Sequence, residues 1–446
     1  MSPTTAPPAT APSIARAPLP AVPVPAVPVP AVPVPAVPIP AVRHRGPSPT
    51  PRPPSAAVLD AARRAGLIFR DELVAATELS HATVNRQVTR LLEVGLLRER
   101  PDLVQAGAVG RPRVPVEVDP DGYGVLGIHI GLRRTTLAAG DLRGRVLGAA
   151  EVPNPIGDPA DVLTLLIARL RRFGARWPER RMLRVGLVVG GQLSADRSRL
   201  RHPRLGWESA PIGEIVDRVA GSHVEVVPQV EAMAGAETLL ARQPSRGTAL
   251  YVYARETVGS VLTVDGAAPV SAAGLGTISH LPVGGAASCP CGATGCLEAS
   301  VGEASVAAAA HRAGIVSEPS IAKVIAAAEG GHRAAHELLV ERARVLGRGV
   351  ALARDVFNPD RVVLLGQAFT GYRPGLAHVS ASFAAATVLD PLVPSVSSLG
   401  PGVQALAACT AALLPVHADP LGAVRKSVAR EAWSGSAIPA RRAATR

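Results

Sequence analysis

Four side chains near position 290 have the chemistry of a metal site. Three are cysteines within eight residues of one another, and a histidine stands nine positions before the first of them. One imidazole and three thiolates complete the tetrahedral coordination of zinc and leave no position open for water or substrate. The spacing therefore predicts a structural zinc ion in a reducing compartment, the alternative being buried free thiols. The predicted ligands are His280, Cys289, Cys291 and Cys296.

A second set of polar residues begins at Ser80, where a helix is predicted to start because a serine hydroxyl can cap the first turn. Val84, Val88 and Leu91 recur at helical spacing and would bury one face of this helix. In a DNA major groove, arginine can bind guanine edges and asparagine can bind adenine edges. The residues predicted to contact DNA from this helix are Ser80, His81, Thr83, Asn85, Arg86 and Arg90.

The elements around this helix favour the same chemistry. Two short amphipathic helices are predicted before it, near 56–65 and 70–77, and two strands after it, at 96–100 and 114–118. In this order, residues 55–118 resemble the winged helix-turn-helix family of DNA-binding domains. The alternative is a small helical domain whose polar face is only solvated.

The segment GRPR, at 110–113, falls in the loop between the two predicted strands. Proline at position 112 disfavours helix at Arg111, so the loop is expected to be extended. Extended arginines next to glycine and proline can enter a narrow A·T-rich minor groove, where the potential is most negative. Arg111 and Arg113 are therefore predicted to contact DNA from the wing.

The 446 residues carry a formal charge of +12, which is unevenly distributed. Residues 1–54 hold 19 of the 43 prolines and a repeated PAVPV unit, and they contribute +4; residues 419–446 contribute another +4. We predict that both segments are disordered, as a proline-rich arm and a basic tail. Residues 55–418 keep only +4, so the total charge is weak evidence for nucleic-acid binding. The absence of a long apolar stretch and of a signal-peptide pattern predicts a cytoplasmic protein without membrane contact.

Residues 119–418 alternate between predicted strands and helices, an order that favours two α/β lobes with a cleft between them. This part resembles the ROK family of repressors and sugar kinases in HPRLGW at 202–207, in VVPQVEAMAGAE at 226–237, and above all in His280 with CPCGATGCLE at 289–298. The resemblance implies the actin-like, hexokinase-like two-lobe fold. Together with the predicted winged helix, it implies the branch of the family that regulates transcription.

Catalytic relatives, as the resemblance implies, hold ATP and sugar with the motifs DxGGT, Asn-Asp, GTGxG and ExGH. This chain departs from all four. His129 stands in place of the first acidic residue, Gln229 in place of the general base and Thr277 in place of the sugar-binding glutamate, while residues 255–259 read RETVG. A glutamine amide cannot act as a general base at neutral pH. We therefore expect no enzymatic activity.

The cleft is expected to bind another small effector, such as a modified sugar or phosphosugar, or none. Four of its residues are tentative effector contacts: Gln229, Thr277, His280 and Glu298. We predict a regulator that binds double-stranded DNA as a homodimer or homotetramer and carries structural zinc. The alternatives are an active ATP-dependent sugar kinase with a DNA-binding extension, and a protein-interaction scaffold.

Overall fold

The computed structural model of the protein describes residues 52–104, 113–220, 224–241, 245–268, 276–400 and 402–426. Of the predicted disordered arm, 1–54, residues 1–51 lie outside these ranges, and so do wing-loop residues 105–112, including Arg111. The prediction is wrong for the end of the arm, because Arg52 pairs with Asp60 at 3.3 Å and Pro54 begins the first helix. Among the described residues, no helix is both long and apolar enough to span a membrane. The described residues form a small N-terminal domain, two α/β lobes and a C-terminal pair of helices.

The N-terminal domain contains three helices followed by a two-stranded antiparallel sheet, as its sequence pattern predicts. Ser80 caps the third helix, because its hydroxyl accepts a hydrogen bond from the Thr83 backbone N–H at 3.2 Å. Glu78 adopts the left-handed conformation in the turn before this cap. The elements are α1 Pro54–Ala65, α2 Arg70–Thr77, α3 His81–Glu93, β1 Leu97–Glu99 and β2 Val116–Val118.

The first lobe is built around a five-stranded sheet. Its elements are β3 Tyr123–Ile130, β4 Arg134–Gly140, β5 Val146–Pro153, α4 Pro159–Gly174, β6 Arg181–Val189, β7 Gln192–Leu193, β8 Leu200–His202, β9 Trp207–Ala210, α5 Ile212–Ala220, β10 Val224–Pro228 and α6 Gln229–Leu240. The strand order in the main sheet is β10-β6-β3-β4-β5, and β7, β8 and β9 form a separate small sheet. Strand β3 is parallel to β6 and antiparallel to β4.

The second lobe contains a four-stranded sheet, in the order β12-β11-β13-β14, and most of the remaining helices. Its elements are β11 Thr248–Ala254, β12 Val258–Val264, α7 Leu297–Val301, α8 Glu303–Arg312, α9 Ile321–Glu329, α10 Arg333–Phe357, β13 Arg361–Leu365, α11 Gln367–Thr370, α12 Arg373–Ala386 and β14 Ser395–Val396. Apolar side chains of α10 and α12, including Leu346 and Phe383, form a common core with the sheet.

The chain then returns to the first lobe through α13 Val403–Ala418, which crosses the five-stranded sheet. Leu126 of β3 packs with the α4 side of the sheet, whereas the next residue, Gly127, faces α13. Because successive strand residues point to opposite faces, α4 and α13 lie on opposite sides of this sheet. A Cβ atom on Gly127 or Gly186 would lie 2.5 or 2.3 Å from the backbone of Ala408. Glycine at both positions thus allows the helix backbone to touch the strands.

The end of α13 also supports the N-terminal domain. Val58 and Leu59 of α1 share one buried core with Leu413 and Val416 of α13 and with Leu183 of the first lobe. The N-terminal domain is therefore packed onto the first lobe rather than joined to it through a linker alone.

The prediction that a disordered tail begins at residue 419 is wrong for its first residues. They form a short helix, α14 Pro420–Arg425, whose Ala423 is buried in the same core. Asp419 caps this helix by accepting a hydrogen bond from the Gly422 N–H at 3.0 Å. Local capping and burial against α13 thus outweigh the basic composition. Residues 427–446 lie outside the described ranges.

Replacing Gly186 by alanine should lower the free energy of unfolding by about 1–3 kcal/mol, because the new methyl group overlaps the Ala408 carbonyl oxygen in a packed core. Denaturant unfolding measures the change. Gly276→Ala is the control, since a Cβ atom there meets nothing within 4 Å. Equal stability of the Gly186 variant and the unsubstituted protein would contradict the close crossing.

Candidate functional site

The four predicted metal ligands come together in the second lobe. Their ligand atoms all lie within 4.8 Å of one another. The sulfurs of Cys291 and Cys296 are 3.7 Å apart, close to the roughly 3.8 Å expected for two sulfurs on one tetrahedral zinc with bonds of about 2.3 Å. His280 Nδ1 lies 3.4 Å from Cys289 Sγ. Both the donor set and its spacing fit one tetrahedral ion.

Two glycines allow the chain to fold around this cluster. Gly292 and Gly295 have φ angles of 91° and 71°, which side-chain-bearing residues rarely adopt. Their turn is closed by short backbone bridges, one of which pairs Ser288 with Thr294. A Cβ atom on Gly295 would also lie 2.9 Å from the Gly284 backbone. The local sequence therefore determines this site.

A cavity of about 560 Å³ lies between the two lobes and reaches the metal cluster, of which Cys289 and Cys291 line its wall. All four residues predicted to contact an effector line this cavity as well. The first lobe contributes Gln229, and the second lobe contributes Thr277, His280 and Glu298. The structure thus brings these positions, which span 70 residues of sequence, to one site.

Three residues that line the cleft between the lobes are buried and uncharged, and the resemblance places two of them, His129 and Gln229, at kinase catalytic positions. Gln229 is 8% exposed, and His129 and Tyr253 are each 4% exposed. Burial lowers the pKa of His129 to about 4, although the Gln229 side chain acts in the opposite direction. Burial also raises the pKa of Tyr253 above its ordinary value. At neutral pH these three side chains are therefore neutral, and none is a strong base for a sugar hydroxyl.

Arg204 joins the two lobes across the cavity. Its guanidinium donates to the Glu298 carboxylate and to the Glu256 backbone carbonyl, both at 2.8 Å. The other oxygen of Glu298 accepts a hydrogen bond from the Val258 N–H at 2.9 Å. Glu298 is therefore engaged by an arginine and a backbone amide. An effector that binds Glu298 must compete with Arg204.

Glu256 makes a second connection between the lobes. Its carboxylate accepts a hydrogen bond from the Leu132 backbone N–H at 3.3 Å. The resemblance of the sequence implies that Leu132 and Glu256 stand in the two segments that would be the phosphate loops of catalytic relatives. The Leu132 amide is already bonded to a carboxylate, whose charge is unfavourable to a phosphate at that amide.

The sequence does not single out Arg204 as a site residue, although it lies within the HPRLGW segment. Its two partners are 52 and 94 residues away, so no local pattern connects them. The predicted position Thr277 is on the cavity wall, where its hydroxyl bonds the Ser279 hydroxyl at 3.0 Å.

The residues predicted to contact DNA from the third helix lie along α3 or at its start. The Ser80 hydroxyl acts as the helix cap, and Thr83 is half-buried. The side-chain oxygen of Asn85 accepts a hydrogen bond from Arg70 at 3.4 Å. The remaining four form an exposed polar face: His81, Asn85, Arg86 and Arg90.

Of the two predicted wing arginines, Arg113 is the one that the structure describes. Its guanidinium pairs with the Asp71 carboxylate and lies over the Phe69 ring, 4.9 Å from the ring centroid. These contacts connect the segment just before β2 to the start of α2. Arg113 must exchange Asp71 for phosphate to bind DNA, so its role as a DNA contact stays a prediction.

A small helical domain packed onto the first of two α/β lobes, with a polar cleft and a Cys₃His cluster, defines a protein that joins a helical module to a two-lobe body. The family described as ROK family matches residues 125–381, which is more than half of the chain. The chain therefore belongs to the ROK family, and the resemblance inferred from residues 280–298 is confirmed.

Two relatives of known name match 85% and 70% of the chain. A transcriptional regulator of Mycobacterium tuberculosis is 46% identical over 392 residues, covering 85% of this chain and 89% of that protein. The DNA-binding transcriptional dual regulator NagC of Escherichia coli is 22% identical over 328 residues, covering 70% of this chain and 80% of that protein.

Solved structures show the same two-lobe fold. The crystal structure of a ROK family transcriptional regulator, a homologue of the E. coli MLC protein, matches with a TM-score of 0.70 and 21% identity, covering 83% of this chain and 98% of that one. A ROK family glucokinase from Streptomyces griseus, solved with glucose and AMPPNP, matches with a TM-score of 0.57 and 20% identity, covering 64% of this chain and 98% of that one. The predicted actin-like body is thus confirmed.

Replacing Arg204 by alanine should loosen the contact between the lobes. We expect amide hydrogen exchange at Val258 to quicken about tenfold, which corresponds to about 1.4 kcal/mol from a charge-assisted hydrogen bond. Exchange followed by mass spectrometry measures this. Arg201→Ala is the control, since Arg201 lines the same cavity but pairs with Glu208 at 3.3 Å within the first lobe. Equal exchange at Val258 in both variants would contradict a clamp by Arg204.

Proposed function

We propose that the protein is a DNA-binding transcriptional regulator of the ROK family whose N-terminal domain is a winged helix-turn-helix. The observation that carries the proposal is the exposed polar face of α3, on a domain that shares its core with the first lobe. This shared core gives the two-lobe body control over the orientation of α3. The near full-length similarity to a mycobacterial transcriptional regulator supports the same function.

In this proposal α3 lies in the major groove, where Asn85 and Arg86 read base edges and Arg90 meets the backbone. Arg111, which lies outside the described residues, is predicted to contact the adjacent minor groove. Because one such helix reads a short half-site, the regulator acts as a homodimer or a larger homo-oligomer on paired half-sites.

A protein-interaction scaffold is the alternative from another class. Protein interfaces usually have an apolar or aromatic centre. The exposed positions of α3 instead carry His81, Asn85, Arg86 and Arg90, with Ala82 and Thr89 as small neighbours and Glu93 at the last position of the helix. This composition suits base edges and phosphates better than a protein surface.

Replacing Arg86 by alanine should relax sequence preference at one base pair by about 1–3 kcal/mol, because a bidentate contact to guanine is lost. Fragments selected from a random duplex library by the purified protein provide the sites, and binding titrations at fixed salt compare the bases. Arg333→Ala is the control, since this exposed arginine pairs with Glu337 on α10. If the Arg86 variant keeps the same base preference at every position of the DNA site, the proposal that α3 reads the base sequence is wrong.

Kinase activity is absent in this proposal. Gln229 offers no carboxylate to accept the proton of a sugar hydroxyl, and Glu256 opposes nucleotide binding through its charge and its bond to Leu132. The rival function is an active sugar kinase with a DNA-binding extension. ATP-dependent phosphorylation of a hexose by the purified protein would establish that rival.

The cavity is the site of a sugar-like effector in this proposal. Its wall is polar at Gln229, Thr277, His280 and Glu298. Relatives with lower identity include proteins named N-acetylglucosamine repressor and Xylose repressor. A ligand that takes Glu298 from Arg204 changes the contact between the lobes, and thereby the relative placement of two N-terminal domains in a dimer. A thermal-shift screen over sugars and phosphosugars tests for such a ligand.

We assign a structural zinc ion to His280, Cys289, Cys291 and Cys296. When bound, the ion supplies cross-links between segments of a loop that has little core of its own. Cys296 immediately precedes α7, which carries Glu298. The cluster therefore fixes one wall of the cavity.

Replacing Cys291 by alanine should remove the metal, because three ligands hold zinc much less tightly than four. We expect about one zinc per chain in the unsubstituted protein and a small fraction of that in the variant, with a lower melting temperature. Elemental analysis of the purified proteins measures the zinc. Cys409→Ala is the control, since this buried cysteine lies in α13. A variant at Cys291 that keeps its zinc would overturn the ligand set.

A further inference from the structure

The C-terminal half of α4 and the turn that follows it carry an unusual concentration of charge. Seven arginines and one acidic residue, Glu179, stand between positions 169 and 184, a formal charge of +6. All the residues that the structure describes contain 38 basic and 34 acidic side chains, a formal charge of +4. The rest of the described protein is therefore acidic on balance. The general abundance of arginine does not explain this concentration.

Three of these arginines, Arg169, Arg172 and Arg176, follow one another at spacings of three and four residues, the first two on α4 and Arg176 just after the helix ends. Arg172 and Arg176 are exposed, and Arg176 lies over the Phe173 ring, 4.9 Å from its centroid. The acidic residue within α4, Asp161, is in the first turn of the helix. Like charges at this spacing destabilise a helix, and the helix dipole compensates only in the last turn. Arg169 lies before that turn, so folding alone does not account for the row.

The charged segment ends beside the proposed DNA-binding domain. Arg180 pairs with Asp121, just after β2, at 3.2 Å. Arg181 is paired in the sheet with Tyr123, whose hydroxyl donates to the Val94 carbonyl at 2.6 Å. Val94 is the residue that ends α3. One neighbouring residue thus separates Arg181 from the end of the helix that faces DNA.

We propose that the α4 basic surface, formed by Arg169, Arg172, Arg176 and Arg181, binds the phosphate backbone of duplex DNA outside the base pairs that α3 reads. The inference rests on the proposed DNA-binding function and adds a second contact surface, on the first lobe. Its contribution is independent of base sequence, because arginine recognises phosphate oxygens by charge and by its planar fork of donors. Duplex DNA is favoured over another polyanion because the segment that carries these arginines meets the N-terminal domain next to the end of α3, through Arg180 with Asp121 and Tyr123 with Val94.

The salt dependence of binding tests this proposal, since each phosphate contact adds about 0.9 to the slope of log K against log salt. The full chain is titrated with two random-sequence duplexes. The short duplex covers a single α3 site, and the long duplex extends about two helical turns beyond it. On the long duplex, the double variant Arg172→Gln, Arg176→Gln should lose about 1.8 from the slope. On the short duplex, it should bind like the unsubstituted protein.

Two further variants serve as controls. Arg172→Lys, Arg176→Lys keeps both charges and should restore the slope. Arg344→Gln, Arg348→Gln removes two arginines that lie on α10 in the second lobe and pair there with Glu341, and it should leave the slope unchanged. Equal melting temperatures of the three double variants establish that they are folded to the same extent.

The outcomes separate this surface from the proposed function. If the unsubstituted protein binds the long duplex and the double glutamine variant keeps the full slope, the proposal that the α4 basic surface binds DNA is wrong, and the proposed function stands. If the unsubstituted protein shows no salt-dependent binding to DNA, both are wrong. If the double glutamine variant instead loses binding to phosphatidylglycerol vesicles while its DNA slope is unchanged, the surface belongs to a membrane and the inference is overturned.

Discussion

The contact on which the rest of the structure depends is the crossing of α13 over the sheet of the first lobe. Gly127 and Gly186 place strand backbone directly against the backbone of Ala408. At such short range, packed atoms cannot shift independently, because protein interiors are as dense as organic crystals. Gln404, near the start of α13, lines a small cavity with His129 and Gln229, and Val416, near the end of the helix, packs in the core of the N-terminal domain. One helix thus touches both regions.

This arrangement limits the motions that can connect the cleft to DNA. The N-terminal domain follows the first lobe because they share one core. The second lobe meets the first through a shared apolar core, in which Met233 packs with Tyr251, and across the cavity through polar contacts, namely Arg204 with Glu298 and Glu256 with the Leu132 amide. Polar contacts of this kind exchange with ligand groups more readily than a packed core rearranges. A change in the angle between the lobes is therefore the motion that moves α3 relative to the second lobe.

Features that depend on local spacing could be predicted from the sequence. The buried face of α3 and its Ser80 cap follow from side chains within one helix, and the metal cluster follows from a histidine and three cysteines within 17 residues. Features that depend on partners far apart in the sequence could not be predicted in this way. Arg113 meets Asp71 across 42 residues, and Arg204 meets Glu298 across 94. The prediction that a disordered tail starts at residue 419 is wrong for a similar reason, because α14 is buried by packing against α1 and α13, which its own composition does not reveal.

The centre of the cleft shows how this two-lobe fold can be stable without nucleotide. A buried carboxylate is costly unless a metal ion or a cation compensates it. His129 and Gln229 remove that requirement, since both side chains are neutral at physiological pH. The charged residues that remain nearby have partners within the protein: Glu298 is paired with Arg204, and the Glu256 carboxylate accepts a backbone amide. The two lobes can therefore stay in contact without nucleotide, which suits a protein that uses the cleft to position a DNA-binding domain rather than to turn over a substrate.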